Sequence, residues 1–268
     1  KVPRQMTREQ MAEKMSISYD SRYKIDIIED LIKNGIEAYP SVGPFNNGMT
    51  FTLGGASNIT TILDNENGYF PIIETDEYGF NNPKGLYQKG DVDILLIGGD
   101  IAEGLSVNAD ETIAAVLRET GLRVISVGKG GNGPLLEYAA LKEYAKPFQP
   151  KVVLWLYFDD DIVRDLRGET KSDILMKYLN DNQFSQNLIL RQDEIDKILK
   201  PQYESLKSIA EGKKRVAEKR KREKIKDNPA IRILKLTNIR SKSNLVPAPI
   251  PAPTPVLAPA LAPALAPA

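Results

Sequence analysis

Cysteine and histidine are both absent from this chain of 268 residues. Without cysteine there are no disulfides, no thiolate nucleophile and no cysteine-based zinc site. Without histidine the usual general base near neutral pH is missing, so any acid–base chemistry must use carboxylates, lysine or tyrosine. An excess of charge of either sign is also lacking. Lys+Arg and Asp+Glu number 36 each, which gives no electrostatic pull toward nucleic acid or an anionic membrane. No apolar run approaches the ~20 residues of a membrane span, and no signal-peptide core is visible near the start. The first residue is Lys1 rather than Met, which leaves room for an upstream segment and for export.

What is present suits a packed domain. The hydrophobic share is 41% and the charged share 27%, and the length accommodates one α/β domain with extensions. Residues 1–20 are polar and read as a flexible segment. Ile25, Ile27, Ile28, Leu31 and Ile32 recur near helical spacing, which predicts a helix over residues 21–35 closed by Gly35. Short strands are expected at Met49–Leu53, Thr60–Leu63 and Tyr69–Glu74, with Asn/Gly-rich turns between them.

The centre is the most informative region. Val92–Ile97 is an apolar run ending at Gly98-Gly99, the pattern of a strand buried on both faces. A helix capped by Asn108 or Asp110 should cover residues 111–120. A second strand is expected at Arg123–Val127, ending in the glycine-rich run Gly128–Pro134. A helix over Leu135–Lys146 should stop at Pro147, and a third buried strand should span Val152–Phe158 and run into Asp159-Asp160-Asp161. Alternating strands and helices with short links predict an α/β fold, a parallel sheet wound by right-handed crossovers. Helices are expected again at Ser172–Leu179 and Gln192–Leu199. Residues 201–240 read as a charged helical extension, with Lys213, Lys214, Arg215, Lys219, Arg220, Lys221, Arg222, Lys224 and Lys226 on a solvated surface. No aromatic residues interleave these cations, which argues against nucleic acid as a partner. Residues 241–268 form a Pro/Ala-rich tail of extended, polyproline-like character.

Ligands in open α/β sheets bind beyond the carboxyl ends of the strands. Three loops belong there: Gly98–Gly104, Gly128–Pro134 and Asp159–Asp161. In order and spacing they resemble the first three blocks of the SGNH (GDSL-type) hydrolases. The run Gly98-Gly99-Asp100-Ile101-Ala102-Glu103-Gly104 stands where that family has Gly-Asp-Ser-x-x-x-Gly. Gly131 fits the oxyanion glycine, and Asp160 falls at the Asn of Gly-x-Asn-Asp. Thr75-Asp76-Glu77-Tyr78-Gly79-Phe80-Asn81-Asn82-Pro83 looks like the Thr-Asp-x-x-Gly-Phe-Arg hairpin of some bacterial members, with Asn81 at the Arg position. The likeness covers residues 69–166, and more loosely 19–199.

The resemblance implies a three-layer, flavodoxin-like sheet flanked by helices in a domain over residues 21–200, with its core at 91–166. It also implies ester hydrolysis or acyl transfer on O-acyl groups, a small-molecule or carbohydrate ester ligand, and no cofactor. The chemistry departs from the family at each key position. Asp100 replaces the serine nucleophile, Asp160 replaces the asparagine donor, and the Asp-x-x-His block is missing. An anion at a donor position repels a developing oxyanion, and losing one such donor costs about 2.7–4 kcal/mol in a serine protease. Ser106 and Ser126, the nearest hydroxyls, have no histidine to activate them. The family site is therefore expected at Asp100, Gly131 and Asp160 in a catalytically impaired form. The competing readings are a non-catalytic carbohydrate- or acyl-binding module, a divalent-metal site at Asp100, Glu103 and Asp159–Asp161, and anion binding by the amides of Gly128–Gly133.

Overall fold

The computed structural model describes residues 7–157 and 165–227. The chain divides into two compact units, Lys1–Val216 and Ala217–Ala268. In the second, residues 217–227 are helical, and all else that follows concerns the first. The architecture is mixed α/β, with small sheets, several helices and a long helix near the C-terminal end. No helix among the described residues is long and apolar enough to cross a membrane.

Helix α1 (Arg8–Met15) lies within the segment expected to be flexible. Its start is fixed by a reciprocal cap in which the Thr7 side chain accepts the Gln10 N–H and Gln10 returns a bond to Thr7. Helix α2 (Lys24–Lys33) buries the predicted stripe of Ile25, Ile27 and Ile28. Strands β1 (Ala38–Pro40), β2 (Phe45–Asn46), β3 (Phe51–Thr52), β4 (Thr60–Ile62) and β5 (Ile72–Glu74) follow. β2 and β3 form an antiparallel hairpin. β4 lies between parallel β1 and antiparallel β5.

The second half of the core contains β6 (Ile94–Ile97), α3 (Asp100–Glu103), α4 (Ile113–Glu119), β7 (Val124–Ser126), α5 (Pro134–Ala140), α6 (Lys146–Phe148) and β8 (Val152–Trp155). The three strands make a parallel sheet in the order β7-β6-β8, with Leu95 opposite Ile125 on one side and Val153 on the other. Alternation along β6 sends its side chains to two clusters. Leu95 and Ile97 join Ile125, Val127, Leu135, Leu136, Ala139 and Tyr144. Leu96 joins Ala102, Ala114 and Val124.

Three local expectations are corrected here. α4 is capped by Thr112, whose hydroxyl accepts the Ala115 N–H at 3.1 Å, because Asn108 instead caps a separate 3-10 turn over Ala109–Glu111. The helix after Gly133 does not stop at Pro147. It passes through a π-helical turn, Leu141–Ala145, runs past the proline in α6 and ends at Phe148, with Gln149 in the left-handed region. The third strand is not buried. Val152, Val153, Leu154 and Trp155 are 53%, 40%, 37% and 42% exposed, and among the described residues β8 pairs only with β6.

Helices α7 (Leu166–Glu169) and α8 (Asp173–Asn180) lead to α9, which runs from Gln192 to Asp227. Two helices were expected with a boundary at residue 200; instead one helix continues through Pro201. Ile195, Leu199 and Tyr203, all buried in the main core, hold it on both sides of the proline.

The hairpin Thr75–Pro83 is organised by a carboxylate. Asp76 is fully buried; its Oδ1 accepts the N–H groups of Tyr78 and Phe80, both at 2.9 Å, and its Oδ2 accepts from Asn82 (2.8 Å) and the Tyr87 hydroxyl (2.5 Å). Gly79 closes the turn at φ +80°, where an added Cβ would lie 2.0 Å from the Gly55 carbonyl oxygen. Asn82 also accepts from Ser126 N–H and donates to Ser126 C=O, both at 2.8 Å, which stitches the hairpin to β7. Burial pushes Asp76 up to about 6, against the pull of its four hydrogen bonds. The native protein therefore holds this proton more tightly than the unfolded chain, so this contribution to stability falls as pH rises from about 4 to about 6. Asp76→Asn should remove about 3 kcal/mol of that dependence. Urea titrations of both proteins from pH 4 to 7 should show the variant gaining on the wild type as pH rises; parallel profiles would rule this out.

Candidate functional site

The carboxyl ends of β6 and β7 form a rim at which Asp100 and Gly131 meet. β6 ends in Gly98-Gly99, and Asp100 opens the short helix α3. Asp100 and Glu103 are three residues apart on α3 and so share a face, which is turned toward the glycine-rich loop. Asp100 Oδ1 accepts the Gly131 N–H at 3.1 Å, and Glu103 Oε2 accepts the Gly130 N–H at 2.6 Å. Gly128 permits this approach, since a Cβ there would lie 2.3 Å from the Ala102 Cβ. From the other side, Glu169 at the end of α7 accepts the N–H groups of Gly133 and Leu135, both at 2.8 Å. Lys129 N–H donates to Gly98 C=O at 3.2 Å and Asn132 N–H to Lys129 C=O at 3.0 Å. Every amide donor from Lys129 to Leu135 is thus taken inside the protein, three of the acceptors being its own carboxylates.

Beneath the loop lies a buried ion pair. Lys129 Nζ and Glu103 Oε1 are 2.5 Å apart, with side chains 4% and 2% exposed. Burial alone would lower the lysine pKa; the adjacent Glu103 carboxylate more than reverses this and holds the ammonium above its usual range. Glu169 is shifted upward by burial, opposed by the N–H groups it accepts. Glu137, fully buried on α5, accepts the Trp155 indole N–H at 2.7 Å and so ties the rim to β8. Asn132 is 3% exposed, and among the described residues neither its side-chain oxygen nor its nitrogen has a hydrogen-bond partner.

Of the three predicted site residues, Asp100 and Gly131 are brought together, while Asp160 lies outside the described residues, as do Asp159 and Asp161 of the acidic run. Comparison of the chain with family models, curated proteins and solved structures gives no match. The chemistry is therefore judged on these residues alone.

Ser126 is a strut. It is buried, donates to Ala102 C=O at 2.6 Å and accepts the Gly128 N–H at 3.3 Å. Ser106 lines a cavity of about 260 Å³ that also borders Asp100, with Leu105, Val107 and Ile113 among its walls. Among the described residues, no group of three or more acidic side chains is placed to hold a metal ion. Glu103, a candidate ligand by sequence, is engaged by Lys129 and Gly130. The glycine loop has no amide left for a bound phosphate. Sequence reasoning missed Lys129, Glu137 and Glu169. The lysine inside a glycine run and the i, i+3 pair Asp100/Glu103 were visible hints, whereas nothing local marks Glu169, which is 36 residues from Gly133.

Proposed function

We propose that this chain is an SGNH-like domain, three-layered around its parallel sheet, derived from hydrolases of O-acyl groups and catalytically silent at the rim. The observation that supports the reading is the bond from Gly131 N–H to Asp100 Oδ1. In the resembled family that glycine donates to the oxyanion formed when serine attacks an ester. Here a fixed carboxylate takes the donor, and the residue that would attack is the one supplying it. A carbonyl oxygen entering the rim would meet a negative charge where stabilisation requires a donor. Neither nearby serine has a histidine to remove its proton. The domain accordingly serves to bind an O-acylated carbohydrate or lipid rather than to cleave it.

The test is activity-based. Incubation with p-nitrophenyl acetate should give no release above the buffer rate, and a fluorophosphonate probe should leave the intact mass unchanged. Stoichiometric labelling of Ser106, Ser126 or any other serine would overturn the proposal.

A further inference from the structure

Away from the rim, a cavity of about 730 Å³ opens between the hairpin Thr75–Pro83 and α4. Neither Asp100, Glu103, Lys129 nor Gly131 lines it. Arg118, half-buried in its wall, is fixed by two bonds: Nε donates to Val124 C=O at 2.8 Å and Nη2 to Asn82 Oδ1 at 2.6 Å. A guanidinium carries five N–H donors. Three of those of Arg118 have no acceptor among the described residues, and it forms no ion pair with any of them. The acid nearest in this network, Asp76, is reached only through Asn82, whose amide donates to it at 2.8 Å. Burial works against the Arg118 charge and lowers its pKa. The protein thus holds a rigid, partly desolvated cation facing a cavity without a direct counter-ion, an unfavourable arrangement that an entering anion relieves.

The remaining lining limits what that anion can be. Lys84 adds a second cation, held by Glu74 only at 3.5 Å, with both side chains largely in solvent. Glu74, Asp110 and Glu119 are exposed and also line the cavity, so a multiply charged anion is repelled. Ala109, Ala115 and Pro83 contribute small apolar surface. We infer that this cavity binds a small organic monocarboxylate, its carboxylate on Arg118 and its neutral or ammonium-bearing remainder toward Asp110 and Glu119. The site does not depend on the ester-binding reading of the rim.

Calorimetric titration of the full chain with acetate, lactate, glycine and inorganic phosphate tests it. The carboxylates should bind saturably in the millimolar range, and phosphate more weakly. Arg118→Gln should weaken carboxylate binding at least about tenfold, as expected for losing a charge-assisted bond. Arg118 also supports Val124 and Asn82, so Ala115→Glu is the second variant. It adds a like charge to the wall, leaves those bonds in place, and should abolish binding at an unchanged melting temperature. No saturable carboxylate binding, phosphate binding as tight as acetate, or unchanged affinity in either variant would overturn the inference.

Discussion

Lys129→Met is expected to destabilise the chain by about 3–5 kcal/mol, the usual cost of leaving one member of a buried ion pair without its counter-charge. Methionine fills similar space, so the loss reports on Glu103, which would be left buried with only the Gly130 N–H to stabilise its charge. For a unit of this size the melting temperature should fall by about 10 °C. The double variant Lys129→Met/Glu103→Leu should recover more than half of that loss, because no uncompensated charge remains and only the Gly130 N–H is orphaned. Thermal and urea denaturation of the wild type, both singles and the double give the coupling energy directly. A loss below about 1 kcal/mol for Lys129→Met would mean that water or a rearrangement compensates Glu103, and that the pair does not anchor the loop.

Glu143→Ala should have an effect of similar size, about 3–4 kcal/mol, for a different reason. The π-helical turn places Glu143 where it gathers four donors: the Tyr178 hydroxyl (2.5 Å), Ser185 Oγ (2.9 Å), and the N–H groups of Gln186 (2.5 Å) and Leu188 (3.0 Å). Burial, with the Glu143 charge beside it, pushes the Tyr178 phenol well above its ordinary range. Removing the carboxylate strands two buried amides and a phenol, at about 1–3 kcal/mol each before relaxation. It also loosens Gln186, whose side chain exchanges two bonds with the Phe51 backbone, at 2.9 and 3.1 Å. Glu143→Gln separates hydrogen bonding from charge. Three of the four donors converge on one oxygen, which the amide retains, so its loss should be only about 1–2 kcal/mol. Equal losses for the alanine and glutamine variants in urea titrations would show that charge, not acceptor count, is what matters.

The order of strands and helices from Ile94 to Trp155 was legible because each apolar run is bounded by glycine or proline, and glycine at a strand end marks where the chain must turn. The meeting of Asp100 with Gly131 was legible for the same reason, since successive parallel strands present their carboxyl ends on one side. Interactions between distant residues were not. Glu169 and Lys129 acquire their roles only when α7 and α3 pack on the loop, and no spacing along the chain encodes that. Pro147 and Pro201 misled because the rule that proline ends a helix assumes no other support. A π turn accommodates the first, and core packing of Leu199 and Tyr203 carries the helix through the second. Strand β8 misled most. Hydropathy measures how strongly a segment prefers to leave water, whereas burial requires a neighbour to cover it.

That exposed apolar segment bears on how the molecules behave in one another's company. Val152, Val153, Leu154 and Trp155 are exposed and none is ionic, and the chain as a whole carries 36 cationic and 36 anionic side chains, so net formal charge adds no long-range repulsion between molecules. Apolar contact at this segment would then meet little electrostatic opposition, so the solubility of the protein is expected to depend on its concentration.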